Sequence, residues 1–245
     1  MRRAAARPPV RNSILAALLA TEYKRILSRL EHVVLKRGDI LYRADQEIEA
    51  VYFPEEALVA MVDTTQDRRT IEVGLIGREG IVGINIFLGG AATPDRAIVQ
   101  LPGGAFRMKS KDLRREVRFG SPLQRLLLNY TRTFLAVISQ SVACSQHHSV
   151  EQRLARWLLT MDDYAGAREF LMDQQSIAAM LGVRRVGISE ASARLRKAAL
   201  VGYRRGRIAI LDRPRLQNRS CECYGFIRRE YGKLRGKVPR LLARD

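Results

Sequence analysis

The sequence predicts an α+β chain in three consecutive parts: an N-terminal β-roll, one long helix and a C-terminal winged helix-turn-helix. Three observations predict it. Short apolar runs broken by turn residues recur between positions 33 and 101; an apolar row at alternating spacings of four and three runs from Leu123 to Cys144; and Ala178, Gly182 and Ile188 stand at helix-turn-helix spacing.

Residues 1–12 hold Arg, Ala and Pro with no apolar period and read as a disordered basic arm. Residues 13–120 form the roll. Thr21 reads as the N-cap of a short helix through Leu30, with Glu22 in its first turn. Strand-like runs follow at 33–35, 40–42, 51–53, 57–62, 71–76, 81–83 and 97–101. They are separated by Gly38-Asp39, Pro54, Gln66-Asp67, Gly77, Gly89-Gly90, Pro94 and Pro102-Gly103-Gly104.

The helix of residues 121–146 starts at Pro122, a residue suited to a first helical position. Its row Leu123, Leu127, Tyr130, Phe134 and Val137, continued by Ser141 and Cys144, is a heptad seam and is assigned to a twin subunit. The second row, Leu128, Leu135, Ile138 and Val142, is assigned to the chain's own roll. A monomeric helix buried on every side is the alternative.

Residues 147–220 read as the winged helix-turn-helix. Asp173 caps a first helix whose apolar side is Ile177, Met180 and Leu181; Gly182 provides the left-handed turn, and Ile188 and Leu195 point the second helix inward. The outward N-terminal part of that second helix carries Arg184, Arg185, Ser189 and Glu190. Arginine binds guanine O6 and N7 bidentately, glutamate accepts from cytosine N4, and serine serves either way. Arg194, Arg196 and Lys197 suit phosphate contacts. Two short strands, 200–203 and 208–211, then flank the tip formed by Arg204, Arg205, Gly206 and Arg207, a wing suited to the sugar-phosphate backbone.

The charge pattern fits a polyanionic partner. The chain of 245 residues has a net charge of +18, and residues 201–245 alone hold 13 basic against 4 acidic side chains. Residues 221–245 read as a basic tail. A hydrophobic content of 47% supplies a core for two modest domains. The longest apolar runs, such as 14–20, are too short to span a bilayer, and no secretory core follows the Arg-rich start, so a cytoplasmic location is expected. Three cysteines, Cys144, Cys221 and Cys223, make neither an even disulfide set nor a four-ligand metal cluster. Cys221-Glu222-Cys223 can chelate a metal across a dimer or form a redox pair, but two ligands do not make a metal site, and none is assigned. His147 and His148 are read as hinge or capping residues where the long helix ends, and His32 as a structural histidine.

With roll, long helix, helix-turn-helix and wing in that order, the chain resembles the Crp/Fnr family of bacterial transcription regulators over about residues 13–220. The resemblance rests on the stretches 38–41 to 52–53 and 77–80 to 96, and most specifically on Val150-Glu151-Gln152-Arg153-Leu154-Ala155-Arg156-Trp157 and Met180-Leu181-Gly182-Val183-Arg184-Arg185. It implies a cyclic-nucleotide-binding-like sensor and a homodimer on a near-palindromic operator, controlled by an unidentified effector. Arg185 matches the family's main base-reading arginine, and Ser189 a serine of one of its branches. Val186 and Glu190 stand in place of the usual acidic and arginine partners, so a different operator is implied.

The resemblance locates the effector pocket at Gly83, Ile84, Asn85, Arg96 and Ala97. The family's Gly-Glu-Leu ribose acceptor and the hydroxyl beside its phosphate arginine are both missing there, which speaks against a cyclic nucleotide. Arg96 is then left to another anionic ligand or to an internal carboxylate such as Glu79, and the internal pair is preferred. No cysteine precedes Cys144, so an N-terminal Fe-S cluster is excluded, and no haem ligand is evident. No cofactor is expected. The expected partners are a double-stranded DNA operator, a second copy of the chain and RNA polymerase, with no membrane. A phosphate-handling enzyme is set aside, because neither Gly77-Arg78-Glu79-Gly80 nor Leu88-Gly89-Gly90 fits a phosphate loop and no nucleophile stands with a base. A nonspecific nucleic-acid protein explains the charge but not the reading face.

Overall fold

The structure, a computed structural model, describes residues 10–67, 69–166, 169–204 and 206–242, with side chains as far as Leu234. Most of the expected arm, residues 1–9, lies outside the described residues. Its end is already ordered: Asn12 is buried, donates to the Pro54 and Gly80 carbonyls at 3.0 and 2.9 Å, and accepts from the Ile14 and Leu15 amides. It caps α1 (Ser13–Ala16), which leads to α2 (Ala20–Leu27). Thr21 lies inside that second helix rather than at its cap.

The roll consists of β1 (Glu31–Leu35), β2 (Ile40–Tyr42), β3 (Ala50–Pro54), β4 (Leu58–Thr64), β5 (Thr70–Ile76), β6 (Arg96–Leu101) and β7 (Gly103–Lys109), closed by α3 (Ser110–Glu116). They form two sheets, ordered β1-β7-β3 and β2-β6-β4-β5, with all pairings antiparallel. Residues 81–83 contribute a single bridge, Tyr52 to Val82, instead of a strand.

The sequence reading missed β7, the central strand of the first sheet, because Pro102-Gly103-Gly104 reads as a turn. Only Pro102 turns the chain from one sheet to the other. Gly103 pairs with Leu35 in the strand, and it is a glycine there because a β-carbon would lie 2.5 Å from the Ala57 amide nitrogen. Between the sheets lies an apolar core that includes Val51, Phe53, Val59, Ile81, Val99 and Met108.

Next come α4 (Pro122–His147) and α5 (Val150–Ala165). Ser121 caps α4 with Pro122 behind it, and α5 opens on a Ser149/Gln152 capping box and closes on Gly166. The C-terminal unit continues through β8 (Glu169–Leu171), α6 (Gln174–Leu181), α7 (Arg185–Lys197), β9 (Val201–Arg204), β10 (Arg207–Ile210) and α8 (Arg213–Arg219). Strand β8 joins the wing in a three-stranded sheet, β8-β10-β9. The second core is centred on buried Trp157 and crosses between units: Leu58, Ala60, Val62 and Leu101 on the outer face of the second sheet pack with Leu154, Leu181 and Ile188.

The expected basic tail is instead mostly helix. α9 (Cys223–Leu242) lies on α4, and Ile227, Tyr231 and Leu234 enter the core of the roll. With Tyr224 these residues recur at spacings of three, four and three, a helical stripe that the surrounding charges obscure in sequence. No helix among the described residues is long and apolar enough to cross a membrane.

Candidate DNA-binding surface and its coupling to the roll

The reading head is built by local rules. Asp173 accepts from the Ser176 amide at 2.8 Å to start α6, and Gly182, at φ +61°, takes the left-handed conformation that ends it. Buried Ala178 admits the close crossing of α7, which Ile188, Ala191 and Leu195 hold against the Trp157 core. That leaves Arg184, Arg185 and Glu190 exposed together on the N-terminal half of α7. Val186, which the sequence placed where the family has an acidic partner but to which it gave no contact, belongs to this face; it is 65% exposed and presents an isopropyl group of the kind that packs on a thymine methyl. Its signal was its place one residue after Arg185. Ser189 is less free than expected, since its hydroxyl donates to Gln174 Oε1 at 2.7 Å.

The expected phosphate anchors divide. Arg196 and Lys197 are exposed, with the Arg196 guanidinium 5.8 Å from the centre of the Tyr203 ring. Arg194 is engaged within the domain by Glu151, at 2.6 Å, and Arg219 approaches the same carboxylate at 3.6 Å. On the wing, Arg204 and Arg207 are exposed at the ends of β9 and β10; Arg205 lies outside the described residues.

The sensor residues sit differently from the expectation. Ala97 and Val99 fill the roll, so Arg96, on the alternate side of β6, faces outward with Ile98 and Gln100. It does not pair with Glu79, and its buried Nε has no hydrogen-bond partner among the described residues. Gly83 caps a single 3-10 turn in which Ile84 is buried between the sheets, while Asn85 is half-buried. The interior at this point is aliphatic.

Glu79 serves another purpose. It is buried, accepts from the Tyr164 hydroxyl of α5 at 2.8 Å and stands 3.6 Å from Arg78. The glycines on either side of it permit this approach. A β-carbon at Gly77 would lie 2.2 Å from the Tyr164 ring, and one at Gly80 would lie 2.4 Å from the Tyr130 ring of α4. The Gly77-Arg78-Glu79-Gly80 segment is therefore the seat on which the roll meets both helices leading to the reading head.

A second link lies beside it. The buried Trp157 indole donates to Glu72 Oε2 of β5 at 3.1 Å. Desolvation pushes the Glu72 carboxyl up to about 7, against the opposing pull of the Trp157 hydrogen bond and the Arg156 charge. Glu72 and Arg156 line a cavity of about 300 Å³ where β5, α4, α5 and α9 meet. Next to Glu72 on the same strand, Ile71 touches the helix-turn-helix corner, where a β-carbon at Gly182 would meet its Cδ1 at 2.8 Å.

The first row of α4 lies opposite to the expectation. Leu123, Leu127, Tyr130, Phe134 and Val137, expected at a dimer seam, are buried against the chain's own roll. Tyr130 and Phe134 stack with ring centres 5.6 Å apart, over Gly80 and Gly74. Of the other row, Leu128, Leu135 and Val142 face out, respectively 51%, 58% and 61% exposed, while Ile138 packs against the roll as expected. Periodicity defines two apolar rows without saying what covers each. The aromatic row went to the roll because the glycines there make room for rings.

A β-roll sensor whose outer sheet carries a winged helix-turn-helix, joined through one long helix, defines a DNA-binding transcription regulator. A family model described as a cyclic nucleotide-binding domain matches residues 32–118, and one described as a Crp-like helix-turn-helix domain matches residues 152–219. The chain belongs to the Crp/Fnr family of transcription regulators. In fold it is similar to FixK2 from Bradyrhizobium japonicum, at 19% identity over 78% of this chain and 98% of that one, with a TM-score of 0.66. It is similar also to a putative Crp/Fnr regulator from Eubacterium rectale (16% identity, 84% and 96% covered, TM-score 0.68). A third likeness is to CLP, the c-di-GMP responsive global regulator of Xanthomonas campestris (14% identity, 78% and 98% covered, TM-score 0.63). No curated protein matches the sequence.

Proposed function

We propose that this regulator binds a near-palindromic operator as a homodimer, placing the N-terminal half of α7 from each subunit in successive major grooves. The observation that carries the reading is the composition of the exposed face of α7. Arg184 and Arg185 supply guanine-directed forks, Val186 an apolar contact, and Glu190 an acceptor for cytosine N4, while the buried face is wholly committed to the core. Arg196, Lys197, Arg204 and Arg207 are the backbone contacts on either side of it. Ser189 contributes through the lone pairs that its bond to Gln174 leaves available.

Leu128, Leu135 and Val142 are the dimer row, and RNA polymerase is a further partner. The effector is a ligand other than a cyclic nucleotide: Ile84 occupies the place of a ribose acceptor, and Arg96 is turned away from the roll interior. Coupling runs from β5 and the 77–80 segment through Trp157 and Tyr164 to α5 and the reading head.

Genome-wide binding followed by footprinting tests the reading. Two half-sites about 34–36 Å apart are expected. Arg185→Ala should lose about 1–3 kcal/mol on the operator and relax preference at one base pair. Equal loss on scrambled DNA, or a single asymmetric site, would overturn it.

A further inference from the structure

The structure gathers four soft ligands that the sequence keeps far apart. Cys144 lies in the last turn of α4, and His148 caps that helix at the hinge before α5. Cys221 lies between α8 and α9, and Cys223 is the first residue of α9. The three sulfurs and one imidazole nitrogen all lie within 4.8 Å of one another. We propose that Cys144, His148, Cys221 and Cys223 bind one zinc ion, which staples the hinge between the long helix and the DNA-binding unit to the head of α9.

The spacing selects the kind of metal centre. Bonds of about 2.3 Å to sulfur and about 2.0–2.1 Å to nitrogen in a tetrahedron put neighbouring ligand atoms roughly 3.5–3.8 Å apart. Cys144 Sγ and Cys221 Sγ are 3.6 Å apart, as are Cys223 Sγ and His148 Nδ1. A multi-iron cluster inserts its own irons and sulfides between its cysteines and requires a wider cage. Three thiolates and one imidazole are a known structural zinc set, and their softness disfavours magnesium or calcium.

The surroundings are those of a metal site as well. His148 turns Nδ1 toward the cluster and offers Nε2 to Glu222 Oε1 at 3.1 Å, the carboxylate-to-histidine arrangement that fixes a ligating imidazole. Gln140 Nε2 donates to Cys223 Sγ at 3.0 Å. The cysteines are buried. Three thiolates with zinc leave one net negative charge, and Arg156 supplies the compensating field. It is 9% exposed, has an Nε with no hydrogen-bond partner among the described residues, and acts favourably on the Cys144 thiolate. Binding displaces the thiol protons to solvent without any change of oxidation state.

The test is elemental analysis of the full chain, as purified without chelator and again after reduction and addition of zinc. One zinc per chain is expected, and cobalt in its place should give the intense visible ligand-field bands of a tetrahedral thiolate site. Glu222→Gln changes an exposed side chain, so the protein should fold, keep the one-to-one stoichiometry and bind zinc about 10–100-fold more weakly. His148→Ala should alter the cobalt spectrum. Three free thiols in reduced protein that takes up neither zinc nor cobalt would overturn the proposal. So would stoichiometric iron with inorganic sulfide, or a Cys144 to Cys221 disulfide whose reduction restores no metal uptake. Unchanged affinity in Glu222→Gln would overturn the part assigned to Glu222. None of these measurements depends on DNA binding.

Discussion

Leu135→Ala isolates the dimer row of α4. Leu135 lies midway between Leu128 and Val142 and is 58% exposed, so its remaining surface is available to a partner. Full burial of a leucine side chain is worth about 1.5–3 kcal/mol, which leaves about 1–1.7 kcal/mol for that fraction. A twofold interface presents the residue twice, giving about 2–3.5 kcal/mol for the dimer. At 1.4 kcal/mol per tenfold, the dissociation constant should rise about 30–300-fold, toward the lower end because alanine keeps the β-carbon.

Sedimentation equilibrium over a concentration series reads this directly. Leu127→Ala is the contrast: Leu127 is fully buried against the roll, so its truncation should destabilise the fold by about 2–5 kcal/mol without acting on the interface. An unchanged dissociation constant in Leu135→Ala, or a wild-type chain that sediments as a monomer at every concentration, refutes the reasoning.

Two further predictions concern the link between roll and reading head. The Glu72 carboxyl, raised from 4.5 to about 7 in the fold, stabilises the protein fully below its unfolded value, and that contribution is lost as pH rises through 7. The loss is at most about 3 kcal/mol, and partial exposure of Glu72 reduces it. Glu72→Gln keeps an acceptor for Trp157 and removes the charge, so it should gain on the wild type in urea midpoints between about pH 5 and about pH 8; parallel profiles would count against the site. Gly80→Ala should lower stability by about 1–3 kcal/mol, because its β-carbon meets the buried Tyr130 ring. Gly232→Ala, in open space on α9, should be neutral or stabilising in the same thermal melts.

The sequence by itself determined whatever is specified by neighbours along the chain. The Asp173 cap, the Gly182 turn, the inward Ile188 and Leu195 and the two wing strands are all local, and each follows from side-chain chemistry within one or two turns of backbone. The outward arginines of α7 were legible for the same reason, since the helical period places them once the buried positions are known. Only the tertiary structure decided what covers each surface. Which row of α4 meets the roll depended on Gly74 and Gly80, 60 and 50 residues earlier, leaving room for Phe134 and Tyr130 respectively. The ordering of residues 223–242 depended on the face of α4 that receives α9. Arg96 lost its expected partner because strand register turned it outward, while Glu79 was taken by Tyr164. The four clustered ligands depended on folding that brings residues 144 and 148 to residues 221 and 223. Burial and long-range proximity are properties of the assembled fold, and one sequence read alone carries no record of distances between segments.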